Sequence, residues 1–81
     1  ARELLGDMLM EMGKSADALA AYEACLTTRP NRFNSIYGAG YAAEKSGDTK
    51  KMNSYYGQLL TVAPASTREQ IDHAKKAMTP G

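Results

Sequence analysis

The stretch Asn34-Ser35-Ile36-Tyr37-Gly38-Ala39-Gly40-Tyr41-Ala42-Ala43-Glu44-Lys45 decides how this chain is read. Small and aromatic residues alternate in it at helical spacing. Ile36, Gly40 and Ala43 fall on one face, and Tyr37 and Tyr41, four residues apart, fall on another. Two faces with so little bulk between the rings suit a helix that neighbours approach closely. Because a similar pair of helical patterns lies on either side, the stretch reads as the middle helix of a stack.

Upstream, Leu4, Leu5, Met8, Leu9 and Met12 follow the i, i+3, i+4, i+7 rule and predict an amphipathic helix over Arg2 to Met12, with Glu3, Asp7 and Glu11 opposite. Gly13 stops it. Lys14 completes a short connection, and Ser15 is expected to cap a second helix over about Ala16 to Thr28, with Asp17 in its first turn. Leu19, Tyr22, Cys25 and Leu26 form its stripe, Ala18 and Ala21 leave room for a neighbour, and Pro30 ends it. Helices joined by two or three residues fold back on each other.

Downstream the pattern begins again. Phe33, Ile36, Tyr37, Gly40, Tyr41 and Ala43 give a helix ending near Ser46 and Gly47, with Asp48 and Thr49 offering a cap for the next. Met52, Tyr55, Tyr56, Leu59, Leu60 and Ala63 predict that partner, which Pro64 terminates. Ser66-Thr67-Arg68-Glu69 reads as a capping box, and Ile71, Ala74 and Met78 give the last helix a single apolar stripe before Pro80 and Gly81. The expectation is an all-α chain of about five helices in antiparallel hairpins.

Composition narrows the function classes. Eighty-one residues leave room for one domain, and ten basic against nine acidic residues give a net charge of +1 with no basic run. Nucleic acid, whose affinity comes from a basic patch facing phosphates, is therefore not an expected partner. No apolar run approaches the roughly 20 residues that span a bilayer, and no signal peptide is legible. The chain starts at Ala1, one turn or less before a helical pattern, which leaves room for it to be a piece of something longer. Cys25, the single cysteine, lies within an apolar helical pattern and reads as a small buried thiol.

Shifting the sequence by 34 residues aligns Gly6 with Gly40, Gly13 with Gly47, Tyr22 with Tyr56, Leu26 with Leu60, Thr27 with Thr61 and Pro30 with Pro64. The first glycines let paired helices touch, the second make the turns, the tyrosines fill gaps and the prolines close each unit. A 34-residue period with this punctuation resembles the tetratricopeptide repeat family, whose antiparallel helix pairs stack into a right-handed superhelix. The resemblance covers repeat one over about 1–30 and repeat two over about 31–64, with a solvating helix over about 67–78. Met52, where the family prefers a small residue, and Arg2, where it prefers a large apolar one, depart from the pattern.

The resemblance implies a function. In this family the face carrying Tyr37 and Tyr41 lines a concave groove that holds peptides, here comprising Asp7, Met10, Glu11, Asn34, Tyr37, Tyr41, Glu44, Lys45, Arg68, Asp72 and Lys75. The implied role is protein–protein interaction, without catalysis, cofactor or metal. Its rival is an assembly element that stacks on itself or on further repeats through exposed helix ends, since two repeats are fewer than the three such stacks usually need. Tyr37 and Tyr41 fit either an open groove or packing between helices, and spacing does not decide between these. The family's chaperone-tail clamp, which uses Lys and Asn on the first groove helix, is disfavoured by Glu3 and Asp7 there.

Other signals have plainer readings. Gly38 to Ala43 fits a loose dinucleotide fingerprint, but that motif works only between a strand and a helix and needs a ribose-binding acid downstream. His73 has no second ligand at metal spacing and is expected at a solvated helix position. Glu3, Asp7 and Glu11 form an acidic stripe that suits a cationic partner, though such stripes are more often hydrated faces. The five methionines are expected to fill the core, with Met10, off the main stripe, exposed.

Overall fold

The computed structural model describes residues 2–62 and 68–78, which form α1 (Arg2–Glu11), α2 (Ser15–Thr28), α3 (Phe33–Ser46), α4 (Thr49–Val62) and α5 (Arg68–Met78). No strand occurs among the described residues. Helices α1 and α2 make one antiparallel hairpin, α3 and α4 a second, and α5 packs on α4 and α3. The middle position of α3 is real, because it touches each of the other four helices.

The hairpin turns depend on two glycines. Gly13 (φ 77°) and Gly47 (φ 85°) take the left-handed conformation that a side chain disfavours. This lets the chain close a Schellman motif at each site, in which the last carbonyls of one helix are satisfied as the chain reverses. The Lys14 amide donates to the Leu9 carbonyl at 2.8 Å and the Asp48 amide to the Ala43 carbonyl at 2.8 Å. Asp48 then caps α4 with its carboxylate, which accepts from the Lys51 amide at 3.1 Å. Ser15 does not play that part in the first hairpin. It is already helical, and Lys14 precedes it at the cap position with no side-chain bond.

The core lies along α3. Ile36, Ala39, Ala42, Ala43, Ala18, Tyr56, Leu59 and Ala74 are fully buried, and Leu19, Tyr22 and Met52 nearly so. Where α3 carries Gly38 and Gly40, a ring takes the space. A Cβ on Gly38 would lie 2.5 Å from the Tyr22 ring, one on Gly6 of α1 2.8 Å from the same ring, and one on Gly40 2.5 Å from the Tyr56 ring. A helical glycine costs about 1 kcal/mol relative to alanine, while burying a large apolar side chain returns roughly 1.5–3 kcal/mol. Burial of the Tyr56 ring outweighs the cost of Gly40, and burial of the Tyr22 ring offsets the cost of the two glycines that make room for it.

Polar ties join the second helices of the two hairpins. Glu23 of α2 accepts from the Tyr55 hydroxyl and pairs with Lys51 Nζ at 3.1 Å, and Gln58 Nε2 donates to the Pro30 carbonyl at 2.9 Å. Being largely exposed, the ion pair contributes little by itself.

Several expectations are corrected. Met8 and Met12, expected to fill the core, are 52 and 61% exposed and share an open apolar face of α1 with Leu4 and Leu5, at 64 and 49%, while Leu9 of the same stripe packs against the core. Met10, expected outside, is half-buried. Cys25 is half-buried rather than enclosed. The capping box at Ser66 and Thr67, and the stops at Pro64 and Pro80, lie outside the described residues.

The glycine contacts give a direct test by urea denaturation. Gly38→Ala and Gly40→Ala are each expected to destabilise by about 1–2 kcal/mol, overpacking outweighing the gain in helix propensity. Gly57→Ala, with nothing within 4 Å of the added carbon, is expected to be neutral or stabilising. Equal midpoints for the three variants would contradict the ring-on-glycine account.

Candidate functional site

Tyr22 organises the surface between the hairpins. Its ring is held between Gly6 of α1 and Gly38 of α3, and its hydroxyl donates to the Asp7 carboxylate. Because α1 carries Asp7 directly after Gly6, the residue that admits the ring also sets the acceptor for its tip. Beside this tie lies a depression of about 340 Å³ lined by Asp7 and Met10 of α1, Tyr22 of α2, and Asn34, Tyr37, Gly38 and Tyr41 of α3. A second recess of about 470 Å³ is lined by Met10, Glu11, Gly13, Ser15, Tyr41 and Lys45. Met10 and Tyr41 belong to both, so the two form one continuous surface.

The tyrosines are neither fully open nor fully packed. Tyr37 and Tyr41 stack with centroids 6.1 Å apart and planes 21° from parallel, each partly exposed. Lys45 Nζ sits 5.2 Å from the Tyr41 centroid, within reach of the ring's negative face. The spacing of four residues along α3 produces this pair.

Behind them is a cluster that sequence reasoning missed. His73 of α5 lies 5.6 Å from Tyr41, 6.2 Å from Tyr37 and 6.1 Å from Tyr56, centroid to centroid. Its Nε2 is 2.9 Å from Glu44 Oε1, the same oxygen that accepts from the Tyr56 hydroxyl at 2.9 Å. A carboxylate only accepts, so the ring nitrogen carries the proton in this contact. His73, expected at a solvated helix position, is only partly exposed and is the residue through which α5 enters the aromatic cluster. No sequence period marks it, because α5 has no counterpart carrying a histidine.

The phenols are held protonated. Burial, then the hydrogen bond to Glu44 and its charge, with smaller effects of Tyr37 and Tyr41, push Tyr56 well above its ordinary value of 10.0. Burial and the bond to Glu23 do the same for Tyr55. Burial, then the neighbouring Tyr41 and Glu44, raise Tyr37. A phenol pushed in that direction is a poor nucleophile or base, so these contacts act as structural ties. Among the described residues no three metal-ligating side chains gather.

Of the residues expected together, Asp7, Met10, Glu11, Asn34, Tyr37, Tyr41 and Lys45 share the continuous surface. Glu44 lines neither recess and is engaged with Tyr56 and His73. Asp72 and Lys75 are exposed on α5, outside both recesses, and the side chain of Arg68 lies outside the described residues. Gly38 and Tyr22 were not expected at the surface, yet their 16-residue separation repeats that of Gly6 and Tyr22 and of Gly40 and Tyr56.

Two family models, both described as tetratricopeptide repeat, match residues 1–32 and residues 34–66. Comparison with curated proteins and with solved structures finds no match.

The raised phenols fix a pH dependence. A proton held more tightly in the folded state stabilises the fold fully below the unfolded value of 10.0, and this contribution is lost as pH rises through the folded value. The melting temperature is expected to hold up to about pH 9 and to fall above about pH 10. Tyr56→Phe should start lower and decline less steeply. Absorbance titration in which all five tyrosines of the folded chain ionise near 10 would contradict this.

Proposed function

The chain belongs to the tetratricopeptide repeat family, whose repeats mediate protein–protein interaction, and we propose that its two repeats and α5 act as one unit binding a peptide segment of another protein along the inner face. The observation that carries this reading is the continuous surface between α1 and α3, where Tyr37 and Tyr41 offer partly exposed rings beside Met10 and Asn34. Aromatic side chains with a polar tip contribute much contact area at small entropic cost, and they are common anchors at interfaces. Asp7, Glu11 and Lys45 place charge at the margin of the rings, where it governs partner choice more than affinity. Glu44, Arg68, Asp72 and Lys75 belong to the groove only through the family pattern.

A second reading has its own support in α1. Leu4, Leu5, Met8 and Met12 give this helix an exposed apolar face at the end of the stack, of the kind that finds a neighbour. In this reading the chain assembles with itself or with further repeats.

Affinity capture and sedimentation separate the two. A Tyr37→Ala/Tyr41→Ala variant that keeps its helical circular dichroism is expected to lose the proteins that the unaltered chain captures; retention of them all would remove the anchors. Under the groove reading the isolated chain sediments as a monomer at high micromolar concentration. A dimer that Leu4→Lys/Met8→Lys dissociates would favour assembly through α1.

A further inference from the structure

We propose that the depression between α1 and α3 selects a basic peptide segment, an arginine side chain lying along Tyr37 and Tyr41 with its guanidinium at Asp7; this rests on the groove reading above. Asp7 is the one carboxylate among the described residues lining that depression, and no Lys or Arg lines it beside Asp7. One oxygen of Asp7 accepts from Tyr22, whose ring is wedged between Gly6 and Gly38. The carboxylate is therefore oriented in advance by a buried group, with its other oxygen left to accept from a ligand, and less ordering is required on binding.

The rings complete the site. Lys45 Nζ already sits 5.2 Å from the Tyr41 centroid, so the attraction of that ring for a cation is partly taken and the carboxylate of Asp7 supplies the charge that selects. The near-parallel Tyr37 and Tyr41 rings suit a planar guanidinium, which lies flat on an aromatic face while its N–H groups donate to a carboxylate; an ammonium is drawn to both but has no plane to stack. In the adjoining recess Glu11 and Lys45 carry opposite charges. Charge thus favours a cation at the Asp7 end and is balanced at the other. An acidic residue in the depression would face Asp7 with like charge.

The test begins with a random-peptide display library selected on the intact chain, followed by fluorescence anisotropy on synthetic peptides. These carry arginine, its neutral analogue citrulline, lysine or glutamate at the enriched position. Arginine is expected to be enriched, citrulline to bind about fivefold more weakly at low salt, as for an exposed ion pair, and added salt to narrow the difference. Asp7→Asn, whose amide oxygen still accepts from Tyr22, is expected to erase the preference while leaving the fold intact. Equal binding of arginine and citrulline peptides, a glutamate preference, or a preference that survives Asp7→Asn overturns the proposal. If those peptides still lose affinity for Tyr37→Ala/Tyr41→Ala, the groove reading stands without it. No enrichment, or enriched peptides indifferent to the tyrosines, overturns both.

Discussion

A tyrosine ring laid against the bare backbone of a helical glycine is the contact on which the two hairpins depend. Tyr22 meets Gly6 within its own hairpin and Gly38 in the next, so one side chain spans both the pairing of α1 with α2 and the stacking of α2 on α3. Tyr56 meets Gly40 in the same manner and lies near the rings of Tyr37 and His73. Each glycine weakens its helix, and the burial of the rings away from water offsets that loss. Alanine at 39, 42 and 43 extends the close approach along α3 without glycine's entropic cost.

The same rings connect the packing to the candidate site. The hydroxyl tips of Tyr22 and Tyr56 emerge on the side where Asp7 and Glu44 stand, and each is met by a carboxylate. At Asp7 the carboxylate remains exposed beside an open depression, whereas at Glu44 a histidine from α5 joins the tie and the position turns inward. Equivalent tyrosines thus lead to an open first half and a filled second half. The difference comes from the helix that packs next on each hairpin: α3 presents Gly38 to Tyr22, and α5 presents His73 to Tyr56.

Much of this fold was legible in the residues. Gly13 and Gly47 mark both turns, the 34-residue shift identifies the hairpins, and small residues in Asn34–Lys45 identify the central helix. These are local signals, set by φ preference and side-chain volume, which sequence displays directly. The site was legible only in part. Asp7, Met10, Tyr37 and Tyr41 come together because they share helix faces that periodicity reveals, but His73 and Glu44 meet through the docking of α5, a relation between segments 29 residues apart. The stripe on α1 shows the converse limit: its spacing says that Leu4, Leu5, Met8 and Met12 share an apolar face, not whether anything covers it. The 16-residue interval from Gly6 to Tyr22 to Gly38 was present in the sequence and names the ring's two seats.

Among the described residues helices pack on the next helix or the next but one, and α1 makes no packing contact with α4 or α5. The loops that must close before contacts form are accordingly short, and the entropy lost in closing them rises only slowly with length. Chains whose contacts lie close together along the sequence reach the native state in microseconds to milliseconds, far faster than sheets stitched from distant strands. The separable hairpins also let opening start at an end, so that α5 can detach while Tyr22 still clasps the first three helices.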